Sequence, residues 1–212
     1  GDIQNKEMWE EAGRLTEEAL KEFGAKFVIG TGEASFYGPK IDVQIKNVNG
    51  KEDSIATAQV DFYSPNKFDL FFTNQKGEKE HPVIIHRAIM GSFDRFFAFL
   101  VEQTAGNFPL WLSPVQVIIL PISEHQKEYA DSIYKELKDA DIRVELDDSN
   151  ESLGKRIRNA KMSKVPYVIV IGDKERDASV ITVEGRTEKL EGVTLESFME
   201  RIQKEIKERI LN

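Results

Sequence analysis

Val115-Gln116-Val117-Ile118-Ile119-Leu120 is an almost unbroken apolar run, and a second one, Val165-Pro166-Tyr167-Val168-Ile169-Val170-Ile171, follows further along. Short continuous apolar runs of this kind suit strands covered on both faces. Between them lie an amphipathic pattern from about Glu124 to Ala140, the strand-like Ile142-Arg143-Val144-Glu145-Leu146, and a second helical pattern from about Asn150 to Ser163. After them come the short strand Val180-Ile181-Thr182-Val183 and a closing helix whose stripe is Leu195, Phe198, Met199, Ile202 and Ile206. Strand and helix therefore alternate, which predicts a small α/β domain with a mostly parallel mixed sheet.

Upstream of the first run, Gly106-Asn107-Phe108-Pro109-Leu110-Trp111-Leu112-Ser113-Pro114 carries two prolines that resist regular structure. A boundary near Pro114 is expected, dividing the chain into residues 1-113 and 114-212. The first part has a different grammar. Met8, Ala12, Leu15, Ala19 and Leu20 lie at helical spacing until Phe23-Gly24. Phe27-Val28-Ile29, Ile41-Asp42-Val43-Gln44-Ile45 and Ile55-Ala56-Thr57-Ala58-Gln59-Val60-Asp61-Phe62 then read as strands, with turns at Gly30-Thr31-Gly32, Gly38-Pro39 and Asn49-Gly50. Pro82-Val83-Ile84-Ile85-His86 reads as a further strand, and Phe93, Phe97, Leu100 and Val101 resume helical spacing. The expectation is an antiparallel sheet with helices, hence α+β followed by α/β.

The 212 residues are 40% apolar and 31% charged, without an apolar run long enough to span a membrane. Residues 1-6 show no secretory pattern, and a chain without cysteine fits a reducing cytoplasm. The net charge of -8 is the wrong sign for binding nucleic acid through an overall field, so any such contact is local.

Three segments, Phe36-Tyr37-Gly38-Pro39-Lys40-Ile41-Asp42, Thr57-Ala58-Gln59-Val60-Asp61-Phe62 and Pro82 to Phe96, together resemble threonyl-tRNA synthetases, which are class II enzymes. Phe108 to Gln116 resembles that family's junction into its anticodon-binding domain, and the likeness continues to the C-terminus. The resemblance implies a partial class II aminoacylation domain containing motif 3, followed by an anticodon-binding domain. Motif 1, motif 2 and the cysteine and histidine that give two of the three zinc ligands are not in these residues. The implied function is part of a threonine-tRNA ligase that activates threonine with ATP and transfers it to threonine tRNA. The implied parent is a homodimer using ATP with Mg2+ and one Zn2+. The 212-residue chain is then expected to be inactive alone and to hold no metal tightly. A free-standing, non-catalytic tRNA-binding paralogue is the alternative.

By the same resemblance Arg95 is the motif 3 arginine that grips ATP, preceded by Asp94 where the family usually has glutamate, with Ser92 beside it. Lys40, after the Gly-Pro turn, joins Arg95 as a charge-neutralising group, since attack on a phosphate depends on positioning and electrostatics. Tyr37, Thr57 and Gln59 are expected in the threonine and adenylate pocket, Gln59 interrupting an apolar strand as a pocket-facing amide would. His86 corresponds to the third zinc ligand. In the second domain Lys155, Arg158 and Lys161 project away from the Leu153, Ile157 and Ala160 face, a local basic stripe that is solvated surface or an RNA contact. The resemblance assigns base reading to Asn150, Arg158 and Glu175, with Lys155 and Lys161 left for phosphates. Glu184 departs from the arginine common at its position, and Arg186 lies on the same strand face.

Overall fold

A computed structural model describes residues 6–211. The N-terminal stretch read for a secretory signal lies, Lys6 apart, outside the described residues. The chain divides into two compact units, one ending at Gln103 and the other beginning at Thr104. None of the described helices is long and apolar enough to cross a membrane.

The first unit opens with α1 (Lys6–Glu22), whose exposed side is laced by Arg14 to Glu11 and Glu18 at 2.7 Å each. Its apolar stripe faces a three-stranded antiparallel sheet of order β1-β2-β5, built from β1 (Lys40–Lys46), β2 (Glu52–Asp61) and β5 (Ile84–Ala88). Met8, Ala12 and Leu15 line, with Ile41, Val60 and Ile85 of the sheet, an apolar cavity of about 670 Å³. Between the second and third of these strands come the one-turn helix α2 (Ser64–Lys67) and a small hairpin of β3 (Phe72–Thr73) and β4 (Lys79–Glu80). The unit closes with α3 (Phe93–Thr104). Phe27-Val28-Ile29, expected as a strand, is not one: Val28 is 94% exposed, and no described strand lies beside it to take its backbone groups. A β-propensity run without a pairing partner gains nothing from being extended.

The second unit is a five-stranded mixed sheet of order β10-β9-β8-β6-β7. In chain order its elements are β6 (Val117–Pro121), a 3-10 turn (Glu124–Gln126), α4 (Lys127–Asp139), β7 (Val144–Leu146), α5 (Leu153–Met162), β8 (Tyr167–Ile171), α6 (Asp173–Ala178), β9 (Ile181–Glu184), β10 (Lys189–Val193) and α7 (Leu195–Lys207). The strand β6 is parallel to both β7 and β8, while β8-β9 and β9-β10 are antiparallel. Helices α4 and α7 cover one sheet face, burying Ile133, Leu137, Phe198 and Ile202 against Ile169 and Ile181. On the other face α5 seats Ala160 against Ile118, Leu120 and Val168. Each such fully buried aliphatic or aromatic side chain contributes roughly 1.5–3 kcal/mol.

The proline-bearing connection is fastened to this second sheet. Gln116 is wholly buried; its side-chain amide donates to the Leu110 carbonyl at 2.9 Å and its carbonyl accepts from the Arg143 backbone at 2.9 Å. The Arg143 guanidinium donates to the carbonyls of Ser113 and Trp111 at 2.8 and 3.0 Å. These bonds stand in for the ladder that two prolines prevent.

Candidate functional site

The register of the first sheet puts the polar residues of three strands on one face. Lys40 lies opposite Gln59 and Asp42 opposite Thr57; on the other flank Gln59 lies opposite His86 and Thr57 opposite Ala88. Since side chains alternate along a strand, Lys40, Asp42, Thr57, Gln59, Asp61 and His86 share this face, opposite Ile41, Val60 and Ile85, although Gln59 also borders the apolar cavity. Tyr37 joins them by donating its hydroxyl to Gln59 Oε1 at 3.0 Å. Gln59 is 8% exposed, and its Nε2 is buried without a partner among the described residues. An orphaned buried amide donor is costly unless something outside the chain accepts from it.

Two aspartates, missed as candidates in the sequence, organise this face. Asp42 accepts from Thr57 Oγ1 at 2.7 Å and pairs with the Lys40 ammonium at 2.5 Å. Burial pushes its carboxyl up, but Lys40 and Thr57 more than offset that and hold it below the usual aspartate range. Asp61 is 2% exposed and accepts from the backbone N–H groups of Tyr63 and Ser64 at 3.0 and 2.8 Å, which turns the chain into α2. Its other oxygen lies 2.9 Å from His86 Nε2. Here too burial raises the carboxyl and the hydrogen bonds from His86, Ser64 and Tyr63 overcome it, leaving it lowered. The signal for both was available: each lies two residues from a chosen site residue, on the same strand face.

The turn into β1 depends on Gly38. Its φ is +158°, and a Cβ there would stand 2.0 Å from the Val60 carbonyl oxygen. Gly91 plays the matching part at the other end of β2, with φ +57° and a Cβ position 2.9 Å from the Ile55 carbonyl oxygen. Past it, Arg95 reaches back to donate to the Ser54 carbonyl at 3.3 Å, while its backbone N–H stands 3.5 Å from Ser92 Oγ. Both Ser92 and Arg95 are exposed. They therefore lie toward the start of β2, and His86 with Asp61 toward its end, a separation of roughly 20 Å at 3.3 Å per residue. Among the described residues no group of three His, Asp or Glu side chains is placed to hold a metal, so His86 and Asp61 by themselves fall short of the three protein ligands usual for catalytic zinc.

In the second unit Asn150 is exposed in the loop after β7, at the carboxyl ends of the parallel strands, where ligands of α/β sheets commonly bind. Arg158 projects from α5 and has no ion-pair partner among the described residues. Lys155 pairs with Glu151 at 2.8 Å and Lys161 with Glu184 at 2.9 Å. Glu175 is half-buried: one oxygen accepts from the Thr182 hydroxyl at 2.8 Å and the other from the Gly172 N–H at 2.9 Å. Burial raises its carboxyl, and these two bonds bring it below the usual glutamate value. Arg156 escaped the sequence reading although it lies three residues after Leu153 and four before Ala160, on the apolar face. It is 4% exposed and donates to the carbonyls of Pro121 and Asp147 at 2.8 Å each, tying together the ends of β6 and β7 that carry the Asn150 loop.

Residues 3–104 match the tRNA synthetase class II core domain (G, H, P, S and T), and residues 116–205 match the anticodon binding domain. A threonine–tRNA ligase of Chlorobium limicola is 45% identical over 204 residues, which is 96% of this chain and 31% of that protein. The chain belongs to the threonine–tRNA ligase family. A threonine–tRNA ligase catalytic subunit of Sulfurisphaera tokodaii is 44% identical over 211 residues, 99% of this chain and 39% of the relative. The chain thus spans about a third of the length of these family members. Among solved structures, the RNA binding domain of threonyl-tRNA synthetase from Cryptosporidium parvum superposes with a TM-score of 0.83 at 34% identity, covering 94% of this chain and 51% of that one.

Proposed function

We infer that this chain forms part of a threonine–tRNA ligase that activates threonine with ATP and transfers it to threonine tRNA. The observation that carries this reading is the polar sheet face joining Tyr37, Lys40, Thr57, Gln59 and His86, with the unsatisfied Gln59 amide at its centre. Threonine belongs at the His86 end of β2 and ATP at the Arg95 end, a span suited to an extended adenylate. There Gln59 Nε2 donates to the amino acid or its adenylate and Tyr37 fixes the amide's orientation. Lys40, steered by Asp42, and Arg95, with Ser92 beside it, neutralise phosphate charge, the main protein contribution to such a transfer. Mg2+ would add to that neutralisation. His86 would serve as one ligand of a zinc completed by other parts of the parent enzyme, its ring held by Asp61 as metal-bound histidines commonly are. The second unit reads the anticodon through Asn150, Arg158 and Glu175, with Lys155 and Lys161 near phosphates. The parent enzyme works as a homodimer in the cytoplasm.

Threonine-dependent pyrophosphate exchange tests the reading. The 212-residue chain is expected to be inactive alone; a full-length parent should be active and should lose at least tenfold, about 1.4 kcal/mol, on Arg95→Ala. Unchanged exchange in that variant would reject the ATP site.

A further inference from the structure

His86 and Asp61 stand diagonally across the β2–β5 ladder, for Gln59 lies opposite His86 and Asp61 opposite Ile84. The Asp61 side chain is 2% exposed and that of His86 53%, so one partner is fixed in the interior while the other faces outward. Asp61 Oδ1 accepts from the backbone N–H groups of Tyr63 and Ser64, and Oδ2 stands 2.9 Å from His86 Nε2. Two N–H donors on one oxygen are the surroundings of a carboxylate, and a carboxylate only accepts. The proton in the bond to Oδ2 is therefore carried by Nε2. His86 Nδ1 has no hydrogen-bond partner among the described residues. The orientation of the ring is fixed as well, because Tyr37 meets it edge to face with the ring centroids 6.2 Å apart. Turning the imidazole over would put Cε1 where Nε2 stands and take from the buried Oδ2 its donor, a loss that a desolvated carboxylate resists.

A neutral imidazole has one N–H and one lone pair, and the bond made by one nitrogen decides that the other keeps the lone pair. On the reading of His86 as a zinc ligand, we propose that Asp61 is a positioning residue that locks His86 in the Nε2–H tautomer, so that Nδ1 is the atom His86 offers to the metal. His81, five residues earlier, supplies the contrast within the same chain. Its Nδ1 lies 2.7 Å from the Leu70 carbonyl oxygen, which also only accepts, so this ring carries its proton on Nδ1 and keeps its lone pair on Nε2. The two histidines are thus set in opposite tautomers, one by a carbonyl and the other by a buried carboxylate. Asp61 also reaches beyond His86. The oxygen that turns the chain into α2 places Tyr63, whose ring meets Phe36 at 5.1 Å, and Phe36 in turn meets Tyr37 at 5.2 Å. One carboxylate thereby anchors both the histidine and the aromatic group around Tyr37, whose hydroxyl holds Gln59.

Long-range proton–nitrogen correlation spectra of the 212-residue chain, recorded with labelled histidine at a pH where the rings are neutral, read the tautomers directly. The chain has three histidines, and His81→Gln and His86→Gln assign their signals. His86 should show a pyrrole-type Nε2 and a pyridine-type Nδ1, and His81 the reverse; this wild-type spectrum needs no variant to fold. Asp61→Asn should switch His86 to the Nδ1–H form, because the amide oxygen still accepts from Tyr63 and Ser64 while the amide NH2 donates to Nε2. His81 should not move. In a full-length parent, Asp61→Asn should also lower zinc affinity by about tenfold or more, measured by competition with a chelator. A His86 proton on Nδ1 in the wild type, or a His86 signal unmoved by Asp61→Asn, would overturn the proposal and leave the zinc reading standing. Zinc held by the parent as tightly after His86→Gln as before would overturn the zinc reading, and the metal-directed role of Asp61 with it.

Discussion

Replacing Arg156 by methionine should loosen the edge of the second sheet that carries Asn150. The guanidinium makes two charge-assisted hydrogen bonds, to Pro121 and Asp147, and methionine fills much of its volume while making neither. Such bonds contribute roughly 1.5–3 kcal/mol each, which bounds the loss near 6 kcal/mol. Against this stands relief of the cost of burying a guanidinium whose Nε has no partner, on the order of 1–3 kcal/mol. At the midpoints of these ranges, about 4.5 less about 2, the net destabilisation is about 2.5 kcal/mol. Urea unfolding followed by circular dichroism reads the global part. Hydrogen exchange by mass spectrometry reads the local part, and protection should fall first across residues 144–150. The two carbonyls left behind are buried or half-buried, so the strand ends cannot simply hydrate in place. A change below about 0.5 kcal/mol, with exchange across those residues unaltered, would refute the reasoning, because it would mean that water replaces the guanidinium without cost.

Arg158→Ala should weaken threonine stem-loop binding by about 1–3 kcal/mol and blur discrimination among anticodons, whereas Lys155→Ala should weaken all loops alike and lower the salt dependence; identical behaviour of the two variants in filter-binding titrations would reject base reading by Arg158. The stability supplied by Glu175 has a defined acid limit. Its folded carboxyl titrates below the ordinary value of 4.5, so the contribution is complete above that value and is lost as pH falls through the folded one. Glu175→Gln should flatten this part of the acid unfolding curve, and a curve of unchanged slope would count against the Thr182 and Gly172 bonds. Gly38→Ala should cost about 3 kcal/mol or more, since both the backbone angle and the Val60 carbonyl exclude a Cβ. Limited proteolysis of the first unit would show it, and an alanine variant as resistant as wild type would mean that the turn can rebuild.

Much of this protein was written in local pattern. Helical spacing from Met8 to Leu20 and from Leu195 to Ile206, and the apolar runs on either side of α4 and α5, marked the elements because burial repeats with the period of the backbone. The ordered segments from Phe36 to Phe96 marked the family for the same reason that they carry chemistry: turn glycines, a lysine and an arginine stand at fixed spacing. Partnership was a different matter, because it joins residues far apart in the chain. Nothing near Phe27-Val28-Ile29 announced that no described strand would pair with it, and β10 at Lys189–Val193, with its charged and glycine positions, had too little apolar pattern to be seen before β9 gave it a ladder. The spacing of Asp42 and Asp61 from chosen positions was legible, but their partners Thr57 and His86 stand on neighbouring strands and were set beside them only by the register. Glu175 and Glu184 show the limit most sharply. As letters they are the same acid nine residues apart, yet one is occupied by Thr182 and Gly172 while the other faces a cavity beside Lys161, and that difference arises from packing across the sheet.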